Sequence, residues 1–347
     1  MPLEHPLEHA LEHPLERPLV LLTNPIAPAV AAQLQSQFTL QLAPGTDAAT
    51  LCAMAREAHY IVVRAPLPPA LFDSAPRLRA VVRHGAGLDM IPVDVASRHG
   101  VAVANVPGAN AQSVAEYAVA QMLALARRLP AIGTTLHREG WPAARALADG
   151  AGELQGKTLV VVGLGAIGQA LARICMLGFG MQAIGVRRKP APEGEIHGIR
   201  QMALDEALPL ADYLVLACPL TPETRGLLDA RRLGLLKPGA RLVNVARGPV
   251  VDEAALLHAL QSGRLAGAAL DVFTTQPLPA DAPLLQLPQV LATPHLAGLT
   301  DEAMARMSRG VADQLLQMLQ GQLPRHFINP EARDTILARW SALERNP

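Results

Sequence analysis

The stretch TLVVVGLGAIGQALARI, residues 158–174, decides the fold of this 347-residue chain. Five residues that favour a buried strand lead directly into a GxGxxG loop, and the loop opens a helical segment. The first glycine permits a tight turn, the second lets a pyrophosphate approach the backbone, and the third lets the helix pack on the strand. The helix amino terminus adds N–H groups for the phosphates. The pattern favours a dinucleotide-binding loop over a plain strand-to-helix turn, with five contributing residues: Gly163, Gly165, Ala166, Ile167 and Gly168.

Strand-like runs alternate with helical segments on both sides of this stretch, which predicts an α/β fold with parallel sheets. Upstream, the runs are LVLL (19–22), YIVVR (60–64), RAVVRHGAG (79–87) and VAVANVP (101–107). Downstream, they are MQAIGV (181–186), YLVLAC (213–218), ARLVNVA (240–246), GAALDV (267–272) and VLAT (290–293). We predict a flavodoxin-like first domain and a Rossmann-like second domain.

The order of these runs also predicts how the two domains share the chain. A long apolar helix, 113–128, links them, and a second helix, 300–319, returns toward the first. The cofactor domain is therefore expected to be inserted into a split substrate domain. The expected parts are a disordered PLEH-repeat tail (1–17), a substrate or catalytic domain (18–110 plus 299–330), a Rossmann domain (111–298) and a peripheral tail (331–347). Within the Rossmann domain, residues 130–152 are expected to be irregular, either wrapping a neighbouring subunit or forming a surface loop.

Composition excludes several classes of protein. Lys+Arg and Asp+Glu are balanced at 30 each, so no basic face is expected to attract nucleic acid. Three scattered cysteines without a CxxC argue against a disulfide framework or a zinc site. The histidines of the PLEH repeat could bind a metal only weakly, and we expect no metal centre. No apolar run reaches the roughly 18 residues of a membrane span, and no secretory signal is recognisable, so we expect a cytoplasmic protein.

The residues that distinguish NAD from NADP lie about 20 residues beyond the glycine loop. An acidic residue there would bind the ribose hydroxyls of NAD, but this chain has Val186, Arg187, Arg188 and Lys189. The two arginines could hold the 2′-phosphate of NADP, so we expect NADP(H) to be favoured over NAD(H). The alternative is a solvated basic turn that tolerates either cofactor.

Seven motifs in this order resemble those of the D-isomer-specific 2-hydroxyacid dehydrogenases. They are HGAGLD (84–89), PGANAQSVAEYAV (107–119), GLGAIG (163–168), CPLTPETRGLL (218–228), LKPGARLVNVARGPVVDEAAL (236–256), SGRLAGAALDVF (262–273) and TPHLAG (293–298). The resemblance covers about residues 18–328. It implies an NAD(P)-dependent oxidoreductase that acts on CH–OH groups, a site in a cleft and a homodimer built around the linking helices. Small 2-oxo acids such as glyoxylate or hydroxypyruvate are the implied substrates.

The same resemblance assigns roles to single residues. Arg247 would grip the substrate carboxylate and polarise its carbonyl, and His295 would donate the proton in reduction. Asp271 would orient the nicotinamide through its carboxamide. The implied substrate-binding residues are Gly85, Ala86, Gly87 and Asn110. Further cofactor contacts are implied for Cys218, Pro219, Thr224, Ala246 and Gly298.

One position departs from the family pattern. Most members have a glutamate before the proline of DVFxxEP, where it pairs with the histidine; here the residue is Gln276. An amide can orient the ring but supplies no charge, so we expect the pKa of His295 to lie roughly 1–2 units lower than with a buried carboxylate partner. A Gln–His pair also resembles formate dehydrogenases, whose reaction passes no proton. Two further alternatives remain, a non-catalytic NAD(P)-sensing protein and a tolerated substitution.

Overall fold

The computed structural model describes residues 17–189 and 194–345. The chain forms two compact units, one running to Pro107 and resuming at Met307, the other spanning Gly108–Arg306. The second unit is thus inserted into the first along the chain, with boundaries at 107/108 and 306/307, where the sequence suggested 110/111 and 298/299. The expected disordered tail, residues 1–17, lies outside the described residues except for Arg17.

The first unit is built on a parallel sheet in the order β2-β1-β3-β4-β5. Its strands are β1 (Leu19–Leu22), β2 (Thr39–Leu42), β3 (Tyr60–Val63), β4 (Ala80–Arg83) and β5 (Ala102–Ala104). Its helices between strands are α1 (Pro28–Leu34), α2 (Ala48–Ala55), α3 (Ala70–Asp73) and α4 (Val93–Arg98). The predicted runs reappear as strands, whereas β2 was missed because this edge strand, TLQL, is mostly solvent-exposed and lacks an apolar run.

The carboxyl-terminal segment is a helix, and the expectation of a peripheral tail over 331–347 is wrong for its described residues. A short 3₁₀ turn leads into α13 (Arg333–Arg345). Ile336 and Trp340 of this helix are buried, and the Trp340 indole donates a hydrogen bond to the Arg79 carbonyl. Two large apolar side chains four residues apart form one helical face, and their burial anchors the segment.

The second unit is built on a larger sheet in the order β13-β12-β11-β10-β6-β7-β9-β8, parallel throughout except for the β8–β9 hairpin. Its strands are β6 (Thr158–Val162), β7 (Gln182–Val186), β8 (Glu195–Ile196), β9 (Ile199–Gln201), β10 (Tyr213–Leu216), β11 (Ala240–Asn244), β12 (Leu265–Leu270) and β13 (Val290–Ala292). Taken without the hairpin strand β8, this is a doubly wound order in which the chain reverses direction between β6 and β10. Ligands bind at such a reversal, beyond the carboxyl ends of the strands.

Helices cover both faces of this sheet, and two of them replace the expected irregular region. The helices are α5 (Ala111–Arg127), α6 (Leu129–Glu139), α7 (Trp141–Ala146), α8 (Ala166–Phe179), α9 (Leu204–Ala207), α10 (Ala230–Leu235) and α11 (Glu253–Gln261). The prediction of irregular structure over 130–152 is wrong for most of its length. Pro130 and Pro142 lie in the first turns of α6 and α7, where a helix needs no backbone donor, so these prolines start helices.

The helix α12 (Asp301–Leu319) continues across the boundary between the two units. Among the helices of the described residues, none has both the length and the apolar character needed to cross a bilayer.

An aliphatic core on each side of the second sheet holds the strands in register. Leu214 and Leu242 are fully buried on one face, and Val161 and Val243 on the other. Each such side chain contributes about 1.5–3 kcal/mol when it is fully buried. The last residues of six neighbouring strands pair across the sheet, in the order Val186, Val162, Leu216, Asn244, Leu270 and Ala292. The six loops that follow these strands therefore all start side by side, at the carboxyl-terminal edge of the sheet.

Candidate active site

Every candidate residue of the second unit that follows a strand lies at this edge of the sheet. The glycine loop follows β6, the arginine pair follows β7, and Cys218 follows β10. Arg247 and His295 each lie three residues beyond a paired strand end, after β11 and β13, and Asp271 directly follows β12, the strand between them. The register therefore places the proposed guanidinium and imidazole on two loops that flank the Asp271 loop.

The glycine loop has the close contacts that its sequence predicts. A Cβ on Gly163, whose φ is +103°, would lie 2.6 Å from the Cys218 nitrogen, and one on Gly168 would lie 2.1 Å from the Gly163 carbonyl oxygen. A Cβ on Gly165 would meet nothing within 4 Å. Two glycines are thus required by protein packing, while the third leaves open space at the amino terminus of α8.

This arrangement fits a dinucleotide. Gly165 is the N-cap of α8 and its position supplies no side-chain cap, so the first-turn N–H groups around Ala166 and Ile167 face the open space. Unpaired N–H groups and the helix dipole favour a pyrophosphate there. Arg187 and Arg188 are exposed directly after β7, where they could contact the adenosine ribose or its phosphate.

The remaining predicted cofactor contacts lie beside the glycine loop. Burial raises the pKa of the Cys218 thiol to about 11, so this side chain is neutral at physiological pH. The Thr224 hydroxyl donates to the Pro219 carbonyl at 2.7 Å, which closes the turn after β10. Ala246 is buried at the end of the neighbouring loop. None of these residues carries a charge at physiological pH.

Arg247 is held by its own turn and by Asn244, a residue with no role predicted from the sequence. The buried Asn244 accepts from the Ala246 N–H at 3.0 Å and donates to the Arg247 carbonyl at 3.2 Å. The Arg247 guanidinium donates to the Ala246 carbonyl at 2.7 Å. The amide of Asn244 thus fixes the turn that carries Arg247. In the sequence this turn corresponds to NVARG, residues 244–248.

The imidazole of His295 contacts the amide at the departing position. Its Nδ1 lies 3.4 Å from the Gln276 Oε1, and the Gln276 side chain is exposed. His295 has a φ of +56°, in the left-handed region that only a few per cent of residues other than glycine occupy, histidine more often than most. Such a conformation has to be stabilised by surrounding contacts.

Asp271 supplies those contacts. Its carboxylate, 2% exposed, accepts from the Leu296 N–H at 2.8 Å and the Ala297 N–H at 2.9 Å, and its carbonyl accepts from the His295 N–H at 2.8 Å. The Thr293 hydroxyl adds a further bond to the carboxylate at 2.7 Å. In the structure Asp271 is therefore the anchor of the histidine loop, a role that the sequence did not suggest. A contact with nicotinamide stays a prediction.

Asn110 and Gly298 lie together in this unit. A Cβ on Gly298 would come 2.6 Å from the Asn110 Nδ2, so a larger residue at position 298 would displace the Asn110 amide. Asn110 precedes α5, and Gly298 ends the stretch anchored by Asp271. The pair connects the start of the long helix with the loop that carries His295.

In the first unit, the loop after β4 has its carbonyl groups turned into the protein. The Gly85 carbonyl accepts from the Val106 N–H at 2.8 Å, and the Ala86 carbonyl accepts from the Asn105 amide at 2.8 Å. The Gly87 carbonyl accepts from the Arg83 Nε at 3.1 Å. Because the C=O and N–H of a trans peptide point in opposite directions, the next N–H groups face away from these anchors.

The N–H groups so directed belong to Ala86, Gly87 and Leu88. Gly85, with a φ of +138°, makes the turn possible. Successive N–H groups on one side of a turn form an anion-binding nest, which suits a carboxylate. Arg83 and Asn105, which set this arrangement, had no predicted role.

Within the described part of the chain, no group of three or more His, Cys, Asp or Glu side chains is placed to bind a metal ion.

Comparison with known proteins agrees with this geometry. Residues 119–297, about half of the chain, match the family model of the D-isomer specific 2-hydroxyacid dehydrogenase NAD-binding domain. D-3-phosphoglycerate dehydrogenase of Mycobacterium tuberculosis is 40% identical over 314 residues, which are 90% of this chain and 58% of that protein. The chain therefore spans somewhat more than half the length of this curated relative.

Two solved structures match nearly over their full lengths. NADPH-dependent glyoxylate/hydroxypyruvate reductase of Sinorhizobium meliloti, in complex with NADP and malonate, has 33% identity and a TM-score of 0.79, covering 90% of this chain and 97% of its own. NAD-dependent formate dehydrogenase of Staphylococcus aureus, in complex with NAD, has 28% identity and a TM-score of 0.78, covering 89% and 98%. The resemblance inferred from the motifs is confirmed: the chain belongs to the D-isomer specific 2-hydroxyacid dehydrogenase family, whose enzymes are NAD(P)-dependent oxidoreductases.

Proposed function

We propose that this protein is an NAD(P)H-dependent reductase of small 2-oxo acids, working reversibly as a 2-hydroxyacid dehydrogenase. One observation carries the proposal. Arg247 and His295 occupy equivalent positions beyond β11 and β13, on either side of a buried aspartate, at the edge of the sheet where the glycine loop fits a dinucleotide.

The bound cofactor supplies or accepts the hydride. Arg247 is suited to bind a 2-oxo acid because a planar guanidinium can donate two parallel hydrogen bonds to it. Its positive charge also stabilises the negative charge that develops on the carbonyl oxygen. The turn fixed by Asn244 holds the arginine for this task.

His295 is suited to donate a proton to the same oxygen in reduction and to remove it in oxidation. An imidazole titrates near neutral pH, so both protonation states are accessible. Its Nδ1 contacts the Gln276 Oε1 at 3.4 Å, so one ring nitrogen is engaged by a neutral amide. The anchored loop limits the ring to one orientation.

The substrate class rests on the size and charge of these groups. The guanidinium of Arg247 suits a small carboxylate such as glyoxylate or hydroxypyruvate. The Sinorhizobium meliloti neighbour is named as a reductase of these two acids, and the mycobacterial relative as a phosphoglycerate dehydrogenase. We favour the smaller acids, and phosphohydroxypyruvate belongs in the panel as a competing substrate.

The test is a reduction assay. Purified protein is mixed with NADPH or NADH and each of glyoxylate, hydroxypyruvate, phosphohydroxypyruvate and pyruvate, and the loss of nicotinamide absorbance is followed from pH 5 to 8. Turnover that disappears in His295→Gln, with cofactor binding retained, supports the proposal. Cofactor binding without turnover on any acid would instead indicate an NAD(P)-sensing protein.

The contact between Gln276 and His295 supports formate oxidation as a second candidate, since that reaction transfers a hydride without passing a proton. Formate with NAD⁺ is therefore included in the assay. Formate turnover exceeding reduction of every 2-oxo acid would replace the leading proposal.

We propose NADP(H) as the preferred cofactor. Arg187 and Arg188 are exposed where a 2′-phosphate would lie, and no acidic residue follows β7 directly. The preference is measured as the ratio of kcat/KM for NADPH and NADH. Replacing both arginines with glutamine should lower this ratio at least about tenfold, because one charged hydrogen-bonding partner contributes roughly 1.5–3 kcal/mol. An unchanged ratio would favour the alternative of a solvated turn.

We also propose that the protein acts as a homodimer. The helix α6 has no buried residue in the single chain, and it exposes Leu129 and Leu136, while Trp141 of α7 is 72% exposed. Neighbouring large apolar side chains at a surface indicate a protein interface. Light scattering should give a dimer mass, and Leu136→Glu should shift it toward the monomer. A monomeric wild-type protein would contradict this.

We propose that the protein is cytoplasmic, because its cysteines are unpaired. Cys52, Cys175 and Cys218 are unpaired, as in proteins of a reducing compartment. Fractionation of source cells tests it, and recovery of the protein outside the cytoplasm would overturn it.

A further inference from the structure

The long helix α5 contributes a tyrosine to the histidine loop. Tyr117 lies half-buried on α5, within the motif SVAEYAVA, and its hydroxyl is 2.5 Å from the Thr293 hydroxyl. From the sequence, this helix was expected to link the two domains, and Tyr117 had no predicted function. All of these residues belong to the second unit.

The direction of the hydrogen bonds follows from the available protons. The Thr293 hydroxyl has one proton, and it lies 2.7 Å from the Asp271 Oδ1, which as a carboxylate oxygen can only accept. Thr293 therefore donates to Asp271 and accepts from Tyr117. Burial raises the pKa of Tyr117, so this phenol stays protonated and remains a donor through the working pH range.

The chain of donors ends on the group that anchors His295. Asp271 accepts from the backbone of three consecutive residues, His295, Leu296 and Ala297. Its Oδ1 is shared between the Thr293 hydroxyl and the Leu296 N–H. A change in the orientation of this carboxylate would therefore shift the segment that keeps His295 in its left-handed conformation.

We propose that Tyr117 is a positioning residue for His295, acting through Thr293 and Asp271. The Tyr117 hydroxyl donates a hydrogen bond to the Thr293 oxygen. The Thr293 proton is then directed toward Asp271. The carboxylate then has one fixed orientation, and so does the loop. The catalytic consequence rests on the proposed function of His295, whereas the mechanical coupling does not.

The first test is Tyr117→Phe, which removes one oxygen atom and keeps the ring. We expect kcat for 2-oxo acid reduction to fall about three- to tenfold, the effect of one hydrogen bond, with the NADPH dissociation constant unchanged. The matched control is Tyr213→Phe, which removes the hydroxyl of another buried tyrosine of the same unit, at the opposite end of its strand from the site. This control should retain wild-type kcat.

A double-mutant cycle tests the route. Thr293→Val removes the hydrogen bonds of Thr293 with both Tyr117 and Asp271. Adding Tyr117→Phe to this variant should therefore cause no further loss of kcat. Thr293→Ser keeps the hydroxyl and should stay close to wild type. Additive losses from the two single changes would show that Tyr117 acts by another route and would overturn the proposal.

Hydrogen exchange gives a measure that does not depend on activity. Amide exchange in a peptide covering residues 295–297 should become about three- to tenfold faster in Tyr117→Phe, while the melting temperature changes little. Unchanged exchange and unchanged kcat would overturn the proposal even if the wild type reduces 2-oxo acids. Should the wild type prove inactive, the proposed function fails and the exchange result alone decides the coupling.

Discussion

Replacing Gln276 with glutamate tests the proposed acid–base role of His295 most directly. The change adds one negative charge and preserves the shape of the side chain, whose Oε1 lies 3.4 Å from the His295 Nδ1. A carboxylate at that position stabilises the protonated imidazole, so the pKa of His295 should rise. Reduction needs the protonated ring, and the reductase should therefore stay active to higher pH.

The structure limits the size of this shift. The expectation of a 1–2 unit difference in the pKa of His295 assumed a buried carboxylate. The Gln276 side chain is exposed, so the effective dielectric constant around it is close to that of water. At 3.4 Å and a dielectric constant of 80, Coulomb's law gives about 1.2 kcal/mol, which corresponds to about 0.9 pKa units. Side-chain freedom and salt reduce such exposed pairs, so we expect a rise of about 0.5–0.9 units.

The assay is a pH profile of kcat/KM in both directions. In reduction, the limb that falls at high pH should move up by this amount; in oxidation, where the neutral ring is needed, the limb that falls at low pH should move up equally. Raising the ionic strength to 1 M should shrink the shift, because an exposed pair is screened.

Gln276→Leu is the control, since it removes the hydrogen bond without adding charge. It should show no upward shift. Equal shifts in the leucine and glutamate variants would mean that charge is not the cause. Limbs that move in opposite directions, or do not move, would refute His295 as the titrating group.

Four other variants test separate features. Gly165→Ala adds a Cβ in the open space expected to hold the pyrophosphate, so it should weaken NADPH binding at least about tenfold without changing the melting temperature. Gly168→Ala forces a 2.1 Å contact with the Gly163 carbonyl oxygen and should destabilise the fold by about 1–3 kcal/mol. Arg247→Lys keeps the charge but loses the bidentate grip, and should lower kcat/KM about 100-fold with cofactor affinity retained. Burial lowers the pKa of His84 to about 3, so the unfolded chain binds a proton between pH 6.5 and 3 that the folded one does not. Stability should therefore fall with acidification, by about 2 kcal/mol at pH 5 from this group, and denaturant melts of His84→Gln should lack that contribution.

Much of the fold was predictable because buried strands leave an unambiguous pattern. Runs such as TLVVV and YLVLAC are apolar, short and bounded by turn residues, and each became a strand of the second sheet. The glycine loop was equally clear, since its spacing has a steric reason at every position. Where burial was weak, the prediction failed: β2 and the β8–β9 hairpin are short, partly polar elements at sheet edges.

The positions of the two candidate reactive groups were predictable, but the residues that hold them were not. Arg247 and His295 follow strands, and parallel strands end at one edge, so their placement follows from topology. The roles of Asn244, Thr293 and Tyr117 depend on hydrogen-bond directions within a loop and between a helix and that loop. No periodicity records such contacts, because polar side chains serve equally well on a solvated surface.

From the sequence, Gln276 was expected to orient the ring of His295, but the structure gives most of that task to Asp271. Orientation of His295 comes from Asp271, whose oxygens bind the loop backbone at 2.8–2.9 Å, whereas Gln276 makes one contact of 3.4 Å from an exposed position. Gln276 therefore contributes little to the orientation of the ring, and Gln276→Ala should lower kcat less than about threefold. Asp271→Asn should be far more damaging, by about 100-fold or more, because the two carboxylate oxygens accept from N–H groups and an amide presents a donor at one of them. Equal losses in these two variants would show that the orientation of His295 depends on Gln276 after all.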